Sequence, residues 1–411
     1  MEVAEDGVAR GKSLRRSLNL PLVVLYGLGV TIGAGIYVLV GATAATAGVY
    51  APLSFLLAAL VMLPSACSFA ELVGRVPLSA GEAAYVQAGF GSRTLSVIVG
   101  LMVVTVGTVS ASAICIGSVG YIRQFIDLQG AVLIPIVVAA MTLIAAWGVR
   151  ESVSFAAVMT LIEIAGLLFI IGGGFLGTTA STIAAPTVQA DVPVTHLVFG
   201  IFSGGVLAFF AFIGFEDLVN MAEETRQPAK TLPRAIFLTL IISTTLYILV
   251  AIVAVTNVPI AELANSEAPL SLVFERTTDA SPASISAIAI IATLNGVIVQ
   301  IIMASRVIYG LSRQGSLPAV LGDVNPLTHT PLIATVLVGI AVLILATTVQ
   351  LRGLAEATSY ITLTVFAIVN LALWKIKRRG DEAPADAFII PDWVPLVGMA
   401  SCALFLIVGL L

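Results

Sequence analysis

Eleven apolar runs, each about the length of a helix that crosses a bilayer, fill most of this chain. A crossing takes about 20 apolar residues. In lipid every backbone polar group must be bonded internally, which leaves only helices and closed barrels. Runs of this length select helices. They cover approximately 20–47, 52–73, 95–120, 131–148, 154–176, 197–221, 234–256, 283–310, 331–349, 354–374 and 393–411. Charged residues make up 10% of the chain and hydrophobic ones 59%, against about 25% charged in soluble domains. The expected fold class is an all-α polytopic membrane protein with about eleven transmembrane helices. The segment "LSAGEAAYVQAGFGSR" is too short and polar to cross and reads as a surface helix. The connection "NVPIAELANSEAPLSLVFERTTDASP" is expected to hold a re-entrant or surface helix.

The same residues exclude several functions. Cys67, Cys115 and Cys402 are far apart and lie in or beside apolar runs, so they read as small buried hydrophobes. With only His196 and His329 available, a histidine metal cluster or a Ser-His-Asp triad has almost no material. No catalytic residues, metal ligands or cofactor are therefore expected, and the chain does not read as an enzyme. No basic patch with interleaved aromatics points to nucleic acid, and no phosphate-binding G-x-x-x-x-G-K-[ST] loop occurs. The first residues are polar and cationic, without a small-residue cleavage site behind a short apolar core, so no cleaved leader is expected.

Lysine and arginine placement sets the expected orientation. With the amino terminus in the cytoplasm, sixteen of the nineteen cations, from Arg10, Lys12, Arg15 and Arg16 through Arg75 and Arg150 to Lys377 and Arg379, fall on the inner side. Only Arg123, Arg276 and Arg352 fall outside. The expectation is a multi-pass protein of the cytoplasmic membrane with its amino terminus inside.

Span one, "VVLYGLGVTIGAGIYVLVG", is crowded with glycine, which weakens a helix by roughly 1 kcal/mol per residue relative to alanine. Span six carries Gly214 followed at once by Glu216 and Asp217, and charged groups deep in a span are rare and costly. Both spans are expected to be broken helices. They hold equal positions in two sets of five spans, and because five is odd the second set must be inverted. That organises the chain as a cytoplasmic segment 1–19, a five-helix repeat 20–176, an inverted repeat 197–374, and a loop with a final span 375–411. Paired interrupted segments in inverted halves mark a secondary-transporter site. The N–H groups of a helix restarting near Ala34–Ile36 favour an anion. Carbonyls ending the first halves favour a cation, so the pair suits a zwitterion. Gly29-x-x-x-Gly33 is also a helix-packing motif. A dinucleotide reading of "GLGVTIG" fails because no strand precedes it.

Four stretches carry a family resemblance. "TIGAGIYVLVG", "SFAELVGRVPLSAGEAAYVQAGFG", "FFAFIGFEDLVNMAEETRQPAKTLPRAI" and "NGVIVQIIMASRVIYGLSRQGSLP" resemble the signatures of the amino acid–polyamine–organocation superfamily, particularly bacterial relatives of cationic amino acid transporters. The resemblance implies the inverted-repeat, broken-helix transporter fold and amino acid substrates. It places the substrate carboxylate at backbone N–H groups around Gly33, Ala34 and Gly35, flanked by Ile32 and Ile36. It places the ammonium at carbonyls near Thr31 and near Phe210, Ala211 and Ile213, where Gly214 ends the first half of span six. Phe210 and Phe212 become candidates for a gating ring. Relatives run to twelve spans where this chain shows eleven.

The second departure lies in span five, "SFAAVMTLIEIAGLLFIIGGG". Several relatives carry a proton-handling lysine where this chain has Glu163. A buried glutamate can carry a proton as a neutral acid; ionised, it attracts sodium or a cationic group. Glu163 is therefore the expected coupling residue, facing spans one and eight; a polar helix contact with Asn295 or Gln300 is the alternative. Glu216 is a second coupling candidate or a cap of the restarted helix, and Asn295 with Thr293 faces the same cavity from span eight. The expected activity is alternating-access transport of an amino acid, coupled to a proton or sodium gradient or to exchange. An organic-cation or polyamine carrier, a gated channel and an amino acid sensor on the same fold are the alternatives. The expected partners are the solute and membrane lipid, with monomer and homodimer both open.

Overall fold

The computed structural model describes residues 18–77, 81–148, 153–176, 193–278 and 280–410; the side chains of Ala34, residues 153–155 and residue 410 are outside that description. The cations Arg10, Lys12, Arg15, Arg16 and Arg150 lie outside the described residues.

The described chain is helical throughout, and the all-α polytopic expectation holds. In order come α1 (Leu20–Ala47), α2 (Ala51–Arg75), α3 (Gly81–Phe90), α4 (Arg93–Ile122), α5 (Gly130–Trp147), α6 (Val153–Leu176) and α7 (Val194–Phe210). After a 3₁₀ segment, Phe215–Met221, follow α8 (Pro228–Asn257), α9 (Ile260–Asn265), α10 (Pro269–Thr278), α11 (Ala283–Arg313), α12 (Leu332–Thr348), α13 (Leu351–Arg378) and α14 (Val394–Leu410). Among the described residues eight stretches are long and apolar enough to cross a membrane, with shorter apolar helices at Leu332–Thr348 and Val394–Gly409. Ten of the eleven apolar runs read from the sequence each fall on one of these helices, and the run 197–221 covers α7, the break after it and the 3₁₀ segment. The two polar connections hold α3, and α9 with α10.

The exposed apolar surfaces follow helical periodicity. On α2 the exposed leucines are Leu53, Leu56, Leu60 and Leu63, one stripe at steps of three and four, while Phe55, Ala58, Ala59 and Met62 are buried behind them. Apolar residues on the outer face are what a hydrocarbon solvent requires.

Packing neighbours recur when the spans are counted five further along. Helix α1 packs on α8 as α2 packs on α7, α4 packs on α13 as α11 packs on α6, and α3 packs on α13 as α10 packs on α6. Helices α1 and α7, α2 and α8, and α4 and α11 pack on each other. Helix α14 lies against α13, α2 and α7. Asn370 of α13 joins Ser65 (2.8 Å) and Ser68 (2.6 Å) of α2, so the contact with α2 is polar as well as apolar.

Span six breaks as expected. Helix α7 ends at Phe210, and Ala211, Phe212 and Ile213 bond back only three residues, to Ala208, Phe209 and Phe210. Gly214 then takes φ +122°, a conformation that L side chains rarely adopt. A Cβ there would meet Val30 Cγ1 at 2.7 Å. The Gly214 N–H donates to the Glu216 carboxylate at 2.8 Å, so Glu216 caps the restart as the sequence reading allowed.

Span one does not break, which corrects the expectation. Helix α1 is one element from Leu20 to Ala47, capped by the Asn19 side chain accepting from Leu22 N–H at 3.2 Å. Its glycines serve close contact. A Cβ on Gly35 would lie 2.1 Å from Ala211 Cα, one on Gly29 2.3 Å from Thr160 Oγ1, and one on Gly27 2.7 Å from Thr239 Oγ1. The helix cost of each glycine is offset by approach of α7, α6 and α8, which is the small-residue packing reading.

Candidate functional site

The break after α7 faces α1, α4 and α11 across a small cavity. Gly29, Val30, Thr31 and Gly35 of α1 line one side, and Phe210 and Ile213 line the break. Ser110 and Ile114 of α4 and Asn295, Gly296, Val299 and Gln300 of α11 complete it. Its volume is about 10 Å³, room for about one water. Sites for small organic solutes run to about 300–1,000 Å³, so a solute enters only when these walls separate.

No ionisable side chain lines this cavity; its polar groups are hydroxyls and amides. Two of them stand out. Thr31 Oγ1 and Gln300 Oε1 are buried without a hydrogen-bond partner, although such a buried polar atom costs about 1–3 kcal/mol. Polar atoms held open at a helix break are suited to a polar solute.

Tyr247 of α8 braces the break. Its hydroxyl lies within donating distance of the carbonyls of Thr31 (2.8 Å) and Ala211 (2.9 Å), joining α1 to the turn after α7. Its ring packs on Phe212 with centroids 5.0 Å apart. Tyr121 of α4 likewise donates to the Tyr37 carbonyl at 2.6 Å. In a membrane interior these hydroxyls bond backbone oxygens that water does not reach.

A second chamber, of about 20 Å³, adjoins the first and shares Ile213 and Gln300 with it. It is lined by Glu82 of α3, Glu216 and Asp217 of the 3₁₀ segment, Val103 and Val106 of α4, Met303 of α11, and Thr362, Val365 and Phe366 of α13. Phe366 packs edge-on against Phe69 and Phe215. Burial pushes the Glu82 carboxyl up to about 7.

The residues singled out from sequence separate into groups. Thr31, Gly35, Phe210, Ile213 and Asn295 line the central cavity. Glu216 lines the second chamber. Ile32, Ile36, Ala211 and Phe212 are buried core, and Gly214 packs on Val30. The backbone of Ala34 runs within α1; its side chain lies outside the described residues. The free N–H groups expected around Gly33, Ala34 and Gly35 do not arise, because α1 continues through them. Thr293 donates to the Ala289 carbonyl at 2.7 Å and does not line the cavity.

Glu163 is fully buried behind α1, with both carboxylate oxygens unpartnered. A Cβ on Gly33 would be 3.7 Å from each oxygen and 3.3 Å from the Ala292 carbonyl of α11. Glu163 therefore sits where α1, α6 and α11 converge, and bonds neither Asn295 nor Gln300. Sequence reasoning missed Ser110, Ile114, Gln300 as a lining residue, Tyr247, Glu82 and Thr362. Only the "Gly-Glu" of the polar connection, an acid opening a short helix, carried a visible signal for Glu82.

The profile of the amino acid permease family matches residues 18–411. The chain belongs to the amino acid permease family. It is 31% identical, over 97% of its length and 89% of the relative's, to the branched-chain amino acid permease BcaP of Bacillus subtilis (strain 168). It is 31% identical to the vacuolar cationic amino acid transporter 4 of Arabidopsis thaliana, over 93% of this chain and 65% of that one. A methylthioribose transporter of Bacillus subtilis (strain 168) is 29% identical over 97% and 88%. The family is one of transporters, not enzymes, and membership agrees with the resemblance carried by the four stretches.

Proposed function

We propose that this permease is a secondary active transporter that moves amino acids across the cytoplasmic membrane by alternating access. The observation that carries the reading is the pair of unpartnered oxygens, Thr31 Oγ1 and Gln300 Oε1, in an uncharged cavity at the α7 break. Ser110 and Asn295 add polar partners for an ammonium and a carboxylate, while Val30, Ile114, Phe210 and Val299 offer an apolar wall. The lining favours a neutral amino acid with an apolar side chain. The substrate named for the Bacillus relative, a branched-chain amino acid, has that character.

The recurrence of packing at a shift of five spans supports two inverted repeats, 20–176 and 197–374, rocking about this cavity. The excess of lysine and arginine on one side supports a cytoplasmic amino terminus. Glu163 carries the coupling proton, because a fully buried carboxyl without a partner is stable there only when neutral or when it holds a cation.

Uptake of labelled leucine, lysine and methylthioribose into liposomes holding the purified protein tests this. The expected result is saturable leucine uptake that collapses when the proton gradient is dissipated and persists when sodium is removed. In Glu163→Gln the gradient dependence disappears. Full gradient dependence in that variant would remove Glu163 from coupling, and non-saturating flux would mark a channel.

A further inference from the structure

Three buried acids, Glu82, Glu216 and Asp217, meet in one chamber. Among the described residues no lysine, arginine or histidine forms an ion pair with any of them; the ion pairs present lie elsewhere. A carboxylate cluster alone would say little about a ligand. Here a second observation is independent of the acids. Thr362 Oγ1 and Gln300 Oε1, on two different helices, line the same chamber and are buried, at 3% and 5% exposure, with no hydrogen-bond partner. Thr362 Oγ1 and Gln300 Oε1 thus leave two acceptors in the chamber without a donor, beside a Glu216 carboxylate that takes one from the Gly214 N–H.

That chemistry asks for a compact cation with several N–H donors. An ammonium group has three donors and no acceptor and is about the size of a water, which a chamber of about 20 Å³ holds. A bare metal ion fits less well. Among the described residues no three His, Cys, Asp or Glu side chains stand close enough to ligate one.

Position adds the rest. The chamber lies on the amino-terminal side of the central cavity. Leu18 bridges to Thr225 just past the 3₁₀ segment, and that segment packs on α3. Ile213 and Gln300 form the shared wall between the two chambers. We propose that the Glu82–Glu216–Asp217 chamber is a second binding site for a primary ammonium group: the amino group of the solute in transit between the central cavity and the amino-terminal face. The proposal rests on the transport reading above, but its test does not need flux.

The probe is methylammonium, with potassium and tetramethylammonium as controls of equal charge that lack N–H donors. Thermal unfolding of the purified full chain is followed against probe concentration. Methylammonium should raise the unfolding temperature saturably, and neither control should. Glu82→Gln should weaken the apparent affinity at least fivefold. Thr362→Val, which removes one acceptor at nearly constant volume, should weaken it about threefold and guards against a folding defect in the first variant. Asn295→Ala reports on the central cavity, and Glu262→Gln, an exposed acid paired with Arg276, should leave the affinity unchanged. A shift that survives both chamber variants, one that the controls reproduce, or one lost only in Asn295→Ala overturns the second site. Amino acid uptake by the same preparation reads the transport function separately. Uptake without a methylammonium effect overturns only the second site, and a methylammonium effect without uptake overturns only the transport reading.

Discussion

Replacing Gly35 by alanine should damage this protein more than its chemistry implies. On an unstrained helix the change stabilises by about 1 kcal/mol. At Gly35 the new methyl would stand 2.1 Å from Ala211 Cα, 2.5 Å from its Cβ and 3.0 Å from its carbonyl carbon, where unbonded carbons settle about 3.5–4.0 Å apart. Two of these three neighbours are backbone atoms of the turn after α7, so no side chain can swing aside. Relief requires α1 and that turn to separate by about 1.5 Å, since the normal separation exceeds the available one by that much. Overpacking of this kind costs about 1–3 kcal/mol. Separation would also lengthen the Tyr247 contacts to Thr31 and Ala211, now 2.8 and 2.9 Å. The control is Gly172→Ala on α6, where a Cβ meets nothing within 4 Å. Thermal unfolding and leucine uptake of the two variants, side by side, give the comparison. Gly35→Ala should unfold at lower temperature and lose most of its uptake, while Gly172→Ala should match or exceed the parent in stability. Equal behaviour of the two would refute the contact between α1 and the α7 break.

Two further outcomes follow from buried charge. Glu71 of α2, fully buried, accepts from Arg75 (2.8 Å), Lys377 (3.1 Å) and the Ile390 N–H (2.9 Å), tying α2 to α13 and the loop before α14. Lys377→Met should cost about 1–3 kcal/mol in thermal or denaturant unfolding, because Arg75 still pairs with the Glu71 carboxylate. Glu71→Leu, which takes the buried carboxylate from Lys377 and the Ile390 N–H together, should cost more, about 3–5 kcal/mol. At Glu82, folding raises the carboxyl from its ordinary 4.5 to about 7, so the folded protein holds a proton that the unfolded chain releases. The Glu82 contribution to stability is therefore fullest below about pH 4.5 and is lost as pH rises through about 7. The change is up to about 3 kcal/mol, from 1.36 kcal/mol per unit. Unfolding followed across that range should show the decline in the parent and a flatter profile in Glu82→Gln.

The spans and the α7 break were legible because their causes are local. An apolar run of membrane length has only one fate in lipid, and Gly214 with Glu216 two residues on cannot continue an apolar helix unaided. Span one misled for the opposite reason. The helix cost of Gly29 and Gly35 is written in their own sequence, while the compensation comes from Thr160 and Ala211, more than a hundred residues away. Glu163 announced itself by its depth. Gln300, Ser110 and Thr362 did not, because periodicity tells which face of a helix is buried and not which buried faces meet across a cavity. Glu82 belongs to a short polar helix that reads as surface until α3 is docked against α13.

In the proposed transport cycle the solute sits between α1 and the break after α7. Cysteine placed at Ser110, in a chain whose Cys67, Cys115 and Cys402 are replaced by serine or alanine, reports on that cavity. The rate of its modification by a small methanethiosulfonate reagent is measured against increasing concentration of the transported amino acid. The expected result is protection that is half-maximal at the same concentration as uptake. A modification rate unmoved by saturating amino acid, in a variant that still transports, would contradict it.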